Sequence, residues 1–252
     1  MRTVAVLAGG LGSRMTAGPG RTMPKVLLPV AGRPFLDFKL ASLAAEGVER
    51  VVLLLGHRAE QVVAHLAHRS GAAGLGLDIT VLRDGPQLLG TGGAVRRALR
   101  ELGDPFWVTY GDTYLRVPMA TVEERFGDGS WDGVMTVLEN RDAWDRSNVR
   151  VEDGRVTAYR KGAPAGTFRH IDYGLLLFDA AAFAPWGDGE RFDLTDVVVR
   201  LVDRGRLGAF QVSARFYEVG RPEAYVETDR FLAEAREWER LTAALAGRAG
   251  EQ

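Results

Sequence analysis

The sequence predicts an α/β fold in which helices flank a mixed, mainly parallel sheet, with an antiparallel part toward the C-terminus. Three observations predict it. Apolar runs of strand length alternate with segments of 3.6-residue apolar period over residues 2–109, the pattern of successive βαβ units. Two of those runs stop at glycine-rich stretches and a third at Gly111-Asp112, which places small and charged residues at C-terminal strand ends, where α/β sheets collect ligands. From Gly133 onward the alternation gives way to short strand-like runs separated by turns, including the hairpin signal Asp153-Gly154.

Taken in order, residues 2–8 read as a buried strand and residues 9–33 as loop. Phe35–Glu46 reads as a helix ended by Gly47. Val51–Leu55 is a fully apolar strand of the parallel kind, and Ala59–Arg69 is a second helix with Val62, Val63 and Leu66 on one face. Asp78–Leu82 is the third strand. Gly90 then opens a helix through Ala94, Val95, Ala98, Leu99 and Leu102, and Phe106–Thr109 is the next strand. In the second half, Gly133–Leu138, Val149–Glu152, Arg155–Arg160 and Arg169–Phe178 read as strands. Asp193 is an N-cap for a helix through Val197, Val198, Leu201 and Val202, closed by Gly205. Strands at 207–212 and 215–219 follow, and Pro222 opens one last helix carrying Tyr225, Phe231, Leu232, Ala235, Trp238 and Leu241. The expected organisation is one domain over residues 1–247, in a first half at about 1–115 and an antiparallel half at about 116–247, with a frayed tail at 248–252. The apolar face of the last helix suits either its own domain or a second copy of the chain, as in a homodimer.

Thirty-two basic residues stand against 33 acidic ones. Nucleic-acid and membrane-surface binding, which favour a basic excess, are therefore not expected. The absence of cysteine excludes disulfides and thiolate metal sites and fits a reducing, cytoplasmic setting. No apolar run approaches the ~20 residues of a spanning helix.

The chemistry concentrates at Leu7-Ala8-Gly9-Gly10-Leu11-Gly12-Ser13-Arg14, followed by Pro24-Lys25. Glycines let main-chain N–H groups approach phosphate oxygens, Arg14 can grip phosphate with two parallel bonds, and Lys25 adds a point charge. The loop is not a Walker motif, which ends in Gly-Lys-Ser/Thr, nor a dinucleotide fingerprint, which needs glycine where Met15 stands. A plain strand-to-helix turn would use the same glycines. Gly90-Thr91-Gly92-Gly93-Ala94 opens a helix, so it reads either as a platform for a base or phosphate or as an N-cap. Asp112 and Glu218 are carboxylates at the ends of strands. Such a pair suits Mg²⁺, which takes one or two carboxylates plus water and substrate phosphates, although an Asx-turn is the commoner use of Asp112. The four histidines (57, 65, 68 and 170) have no metal-ligand spacing and read as structural or exposed. No Ser-His-Asp arrangement with a nucleophile elbow is present.

Together these motifs resemble the sugar-1-phosphate nucleotidyltransferases, or NDP-sugar pyrophosphorylases. Leu7–Arg14 with Pro24-Lys25 is similar to that family's signature loop, and Leu89–Ala94 to its base-binding segment. Tyr110-Gly111-Asp112 is similar to its metal-binding aspartate motif, and Tyr217–Tyr225 to its late metal-binding segment. Two positions depart from the family pattern: Val26 replaces the proline after the lysine, and Glu218 replaces an aspartate. The resemblance implies a Rossmann-like, GT-A-type fold and attack of a sugar 1-phosphate oxygen on the α-phosphorus of an NTP. It assigns Leu7, Ala8, Gly9, Gly10, Gly12, Ser13, Arg14, Gln87, Gly92 and Gly93 to the nucleotide, with Arg14 and Lys25 catalytic. It assigns Asp112 and Glu218 to Mg²⁺, and Asn148, Lys161, Asp172 and Gly174 to the sugar. The short length, Gly90–Ala94 and Ile171–Gly174 look closest to the heptose and mannose 1-phosphate guanylyltransferases. Uridylyl or cytidylyl transfer to a hexose 1-phosphate is the alternative of the same class. A catalytically silent relative that binds a sugar nucleotide is the alternative of another class.

Overall fold

The computed structural model describes residues 1–10, 23–68, 75–85, 87–127 and 129–249. In chain order the first elements are β1 (Thr3–Ala8), β2 (Pro29–Val30), β3 (Arg33–Pro34) and α1 (Phe35–Ala45), with a 3-10 turn at Lys25–Leu27. Then come β4 (Arg50–Leu55), α2 (Ala59–His68), β5 (Asp78–Arg83), α3 (Gly90–Leu102), β6 (Phe106–Tyr110), β7 (Thr113–Tyr114) and α4 (Met119–Phe126). The remainder is β8 (Gly133–Glu139), β9 (Val149–Glu152), β10 (Arg155–Tyr159), β11 (His170–Phe178), α5 (Leu194–Asp203), β12 (Leu207–Val212), β13 (Tyr217–Glu218), α6 (Pro222–Glu234) and α7 (Glu237–Ala249). The expected mixed α/β class is the one observed. None of the described helices is long and apolar enough to cross a membrane.

The chain forms two compact units, each discontinuous in sequence. The first comprises Met1–Gly85, Tyr110–Arg116 and Phe216–Gln252; the second comprises Pro86–Thr109 and Val117–Arg215.

In the first unit β5, β4 and β1 pair in parallel, in that order, with Thr3 opposite Arg50 and Arg50 opposite Asp78. Buried apolar residues run through Val4–Val6 of β1 and Val51–Leu55 of β4, as a sheet covered on both faces requires. Helix α1 is apolar nearly all round and buried on most of its circumference. Phe35, Phe38 and Ala41 of α1 share a core with Val30, Tyr114, Val219, Leu232 and Leu241, against which Phe231 and Trp238 also pack. The apolar residues of the C-terminal segment thus pack within their own unit, so this face supplies no argument for a second copy.

Three expectations are corrected here. The loop over residues 9–33 contains the 3-10 turn and the first strands of a small hairpin, β2–β3. The strand expected at 215–219 is reduced to Tyr217–Glu218, paired with Tyr114 and Thr113 of β7. The single last helix is two, broken at Ala235–Arg236, where Arg236 takes a left-handed φ of 46°. The break turns Glu237 inward. Its fully buried carboxylate accepts bonds from Tyr114 Oη, from Arg116 Nη2 at 2.6 Å and from Arg240 Nη2 at 2.6 Å. Helical periodicity carries no sign of such a partner set.

In the second unit the strand order is β6-β11-β8-β12-β10-β9. All neighbouring pairs are antiparallel except β8–β12. Helix α3 packs on α5, α5 on β10 and β12, and α4 on β8 and β12. Helix α4 was not anticipated. It is fixed by tertiary contacts, among them the bond from the buried Trp107 Nε1 to Glu123 Oε1 at 3.0 Å.

Candidate active site

In the first unit β1 ends at Ala8, and the next residues lie against neighbouring strand ends. Gly111 N–H donates to Leu7 O at 2.9 Å. A Cβ on Gly111 would stand 3.0 Å from each of Leu7 O, Ala8 Cβ and Val26 Cγ1. Val26 is buried, and the 3-10 turn around it is closed by the Leu27 and Leu28 N–H groups. Gly9 lies against Gly56, where a Cβ would meet Gly9 O at 2.5 Å and Asp84 Oδ2 at 2.8 Å. Gly10 is exposed. Gly12, Ser13 and Arg14 lie outside the described residues, as do residues 250–252 of the expected tail.

The two-stranded ribbon of β7 and β13 brings the predicted carboxylates together. Glu218 is opposite Thr113, and Val219 N–H donates to Asp112 O at 2.9 Å. Lys25 Nζ is 3.5 Å from Asp112 Oδ2, and both side chains are largely buried. A Cβ added to Gly220 would stand 2.9 Å from Glu218 Oε2, 3.3 Å from Asp112 Oδ2 and 3.5 Å from Lys25 Nζ. Three of the predicted groups thus converge on a point that a side chain at 220 would fill. Glu218 Oε1 is held by Arg221 Nε at 2.6 Å, leaving Oε2 turned toward Gly220. Among the described residues no group of three or more His, Asp or Glu side chains gathers for a metal. The two carboxylates here fit an ion of magnesium's habits, which needs no more than two.

Sequence reasoning missed Lys39. It is 3% exposed on α1, and its Nζ donates to Thr113 O at 2.9 Å. Burial lowers the Lys39 ammonium to about 7, against the opposing field of Asp112. An unfolded chain, with lysine near ~10.4, then binds more protons between about pH 7 and pH 10, so stability should rise with pH across that window. Urea midpoints at about pH 7 and about pH 9, compared between wild type and Lys39→Met, would show this gain in the wild type alone.

The second unit holds the expected sugar residues. Asn148 Oδ1 accepts the Asp172 N–H at 2.9 Å, and Asp172 Oδ1 accepts the Gly174 N–H at 2.9 Å. The pairing of β11 with β8 shifts register between Asp172 and Leu176, and Gly174 within that bulge has a φ of 95°. Such a kink re-aims a side chain, and here it demands glycine. Burial raises the Asp172 carboxyl, while the Gly174 N–H, the Lys161 charge and the Tyr159 hydroxyl act to lower it. Lys161 is exposed, as is Gln87.

At the start of α3 the N-cap use of the glycine stretch is visible. Gly92 and Gly93 N–H groups both donate to Phe192 O at 3.1 Å, and Thr91 N–H to Asp193 Oδ1 at 3.4 Å. Thr91 Oγ1 in return accepts the Leu194 N–H at 2.9 Å, so two helix N-termini cap each other. Those amides are engaged inside the protein. The glycines serve packing: a Cβ on Gly92 would lie 2.4 Å from two atoms of the Phe192 ring and one on Gly93 2.5 Å from Glu190 O. Gly92→Ala should cost about 1–3 kcal/mol, as overpacking does. Thermal unfolding would read it as a lower Tm.

Of the histidines, His65 Nε2 is bonded to the buried Asp37 Oδ1 at 2.9 Å and His57 is exposed. Neither adjoins the carboxylates.

Comparison with known proteins adds three findings. The MobA-like NTP transferase domain matches residues 4–143. The bifunctional protein GlmU of Burkholderia mallei (strain SAVP1) is 34% identical over an alignment of 220 residues that covers 80% of this chain and 45% of GlmU, so the chain spans about half the length of that relative. Among solved structures, HddC from Yersinia pseudotuberculosis superposes with a TM-score of 0.78 at 26% identity, covering 92% of this chain and 100% of HddC. The same protein complexed with GMP-PN gives 0.78 at 25% identity over the same shares. The inositol-1-phosphate CTP transferase from T. maritima, at 21% identity and a TM-score of 0.73 over 97% of this chain and 96% of its own, shares the fold.

Proposed function

This chain belongs to the family of MobA-like NTP transferase domains, and from that premise we propose that it couples an NTP to a sugar 1-phosphate, yielding an NDP-sugar and pyrophosphate. The observation that carries this reading is the convergence of Lys25 Nζ, Asp112 Oδ2 and Glu218 Oε2 on Gly220. The nucleophile needs no general base: a phosphate monoester with a second pKa near ~6 is already ionised at neutral pH. The obstacle is the meeting of two polyanions, which calls for fixed cations and in-line placement. Lys25 would neutralise charge at the reacting α-phosphoryl group. Arg14 and the Gly9–Ser13 amides, assigned from sequence, would hold the triphosphate and the departing pyrophosphate. Asp112 and Glu218 would hold Mg²⁺, which supplies positive charge to the phosphate oxygens when bound. Gln87, Gly92 and Gly93 would lie near the base, with the glycines' amides engaged elsewhere.

The sugar would meet Asn148, Lys161, Asp172 and Gly174. A carboxylate fixed by the Gly174 N–H is suited to accept bonds from sugar hydroxyls. The preferred substrates are GTP with a manno-heptose or mannose 1-phosphate, supported by the resemblance of the sequence motifs and by the likeness to HddC, a protein solved with GMP-PN. The absence of cysteine suits work in the cytoplasm.

The test is a panel of GTP, UTP, CTP, ATP and dTTP against heptose, mannose and glucose 1-phosphates, reading pyrophosphate release with magnesium and with EDTA. Release with GTP and heptose or mannose 1-phosphate, lost in EDTA, supports the proposal. Release with UTP or CTP and glucose 1-phosphate would replace the substrates and keep the class. No release from any pair would make the protein a sugar-nucleotide binder.

A further inference from the structure

We propose that Lys39 is a positioning residue for Asp112, holding from inside α1 the backbone that carries this carboxylate to the site. The inference rests on the role given to Asp112 above. The turn at residues 110–113 is tied by Gly111 N–H to Leu7 O at 2.9 Å, by Thr113 Oγ1 to Tyr110 O at 3.1 Å and by Val219 N–H to Asp112 O at 2.9 Å. Those bonds come from strand ends or from the turn itself. Lys39 adds a fourth from a helix, Nζ to Thr113 O at 2.9 Å, one residue beyond Asp112.

The choice of residue is informative. Phe35, Leu36, Phe38 and Ala41 of α1 are fully buried, and Lys39 is 3% exposed among them. A methionine would fill a similar volume with no charge to desolvate, and replacing buried charge by apolar side chains is often neutral or stabilising. A buried ammonium at such a position opposes stability, and local rules are broken in this way where a site needs the group. What Lys39 supplies is a bond from Nζ to a main-chain carbonyl, reaching the turn from inside a largely apolar helix.

Lys39→Met and Lys39→Gln, compared with Asp112→Ala, test this with the substrate pair identified by the panel. Lys39→Met should keep or raise Tm near neutral pH while kcat falls ~10-fold or more and KM for the sugar 1-phosphate stays within ~2-fold, the mark of an interaction needed for the chemical step and not for ground-state binding. Lys39→Gln, which retains an N–H for Thr113 O, should recover part of the lost kcat. Wild-type kcat in Lys39→Met alongside an inactive Asp112→Ala overturns the inference and leaves the active-site reading standing. A Lys39→Gln no better than Lys39→Met, or a fall in kcat that only tracks the folded fraction by circular dichroism, also overturns it. An active Asp112→Ala removes the active-site reading itself, and this inference with it.

Discussion

Lys25→Ala should lower kcat/KM at least ~100-fold, the loss typical of one preorganised charge contact in an active site, and Asp112→Ala should do the same. Lys25 Nζ stands 3.5 Å from Asp112 Oδ2, and a point at Gly220 lies within reach of both and of Glu218 Oε2. Without the ammonium, two carboxylates face incoming phosphates with one cation fewer, and repulsion between the substrates is no longer offset at the reacting centre. Without Asp112, Glu218 alone is left to hold a divalent ion, and its Oε1 is already engaged by Arg221. Steady-state pyrophosphate release, with folding checked by circular dichroism, measures both. Activity within a factor of ten of wild type would remove the residue concerned from the mechanism.

The largest stability effect is expected at Glu237. Its carboxylate is fully buried and takes bonds from Tyr114, Arg116 and Arg240. Glu237→Ala leaves those donors facing a hole, and breaking a buried charged set of this kind costs about 3–5 kcal/mol. At about 2–4 °C per kcal/mol for a chain of this size, Tm should fall by roughly 6–20 °C. The same group makes the fold acid-sensitive. Burial alone would raise the Glu237 carboxyl, but bonds from Arg240, Tyr114 and Arg116 outweigh it and hold the group at about 2. The folded value is depressed below the unfolded one of ~4.3, so this contribution is intact above pH ~4.3 and is lost as pH falls toward about 2. Acid titration of Tm should show a loss in that window for the wild type that is missing from Glu237→Ala.

Much of this was legible in the sequence because it depends on local rules. The apolar runs of β1 and β4 and the 3.6-residue period of α3 can be satisfied in few ways, and Asp193 caps α5 as its position implied, its N–H bonded to Asp196 Oδ2 at 2.8 Å. Asp112 and Glu218 were readable as carboxylates at strand ends and Lys25 as a lysine between prolines after the glycine loop, and the ribbon that joins the two carboxylates was read only as a late strand. What escaped were residues whose roles are set by distant partners. Gly92 and Gly93 stand against Phe192 and Glu190, about a hundred positions away, a contact that local spacing does not announce. Glu237 is held by Tyr114 and Arg116, more than a hundred positions away, and no local pattern announces such partners. Lys39 did leave a trace: a segment as apolar as Phe35–Ala45 has no wet face, so a lysine inside it has to be buried somewhere.

The pairing of Thr113 with Glu218 also bears on biosynthesis. The two acidic groups lie more than a hundred positions apart, so a nascent chain that has extruded everything up to Arg215 still lacks one of the two carboxylates proposed to hold the metal. On the proposed function, competence would therefore arrive late in translation, once the segment from Phe216 onward had cleared the ribosome and docked on the turn that carries Asp112. A truncation product ending short of that segment would be inert, however well its earlier strands had assembled.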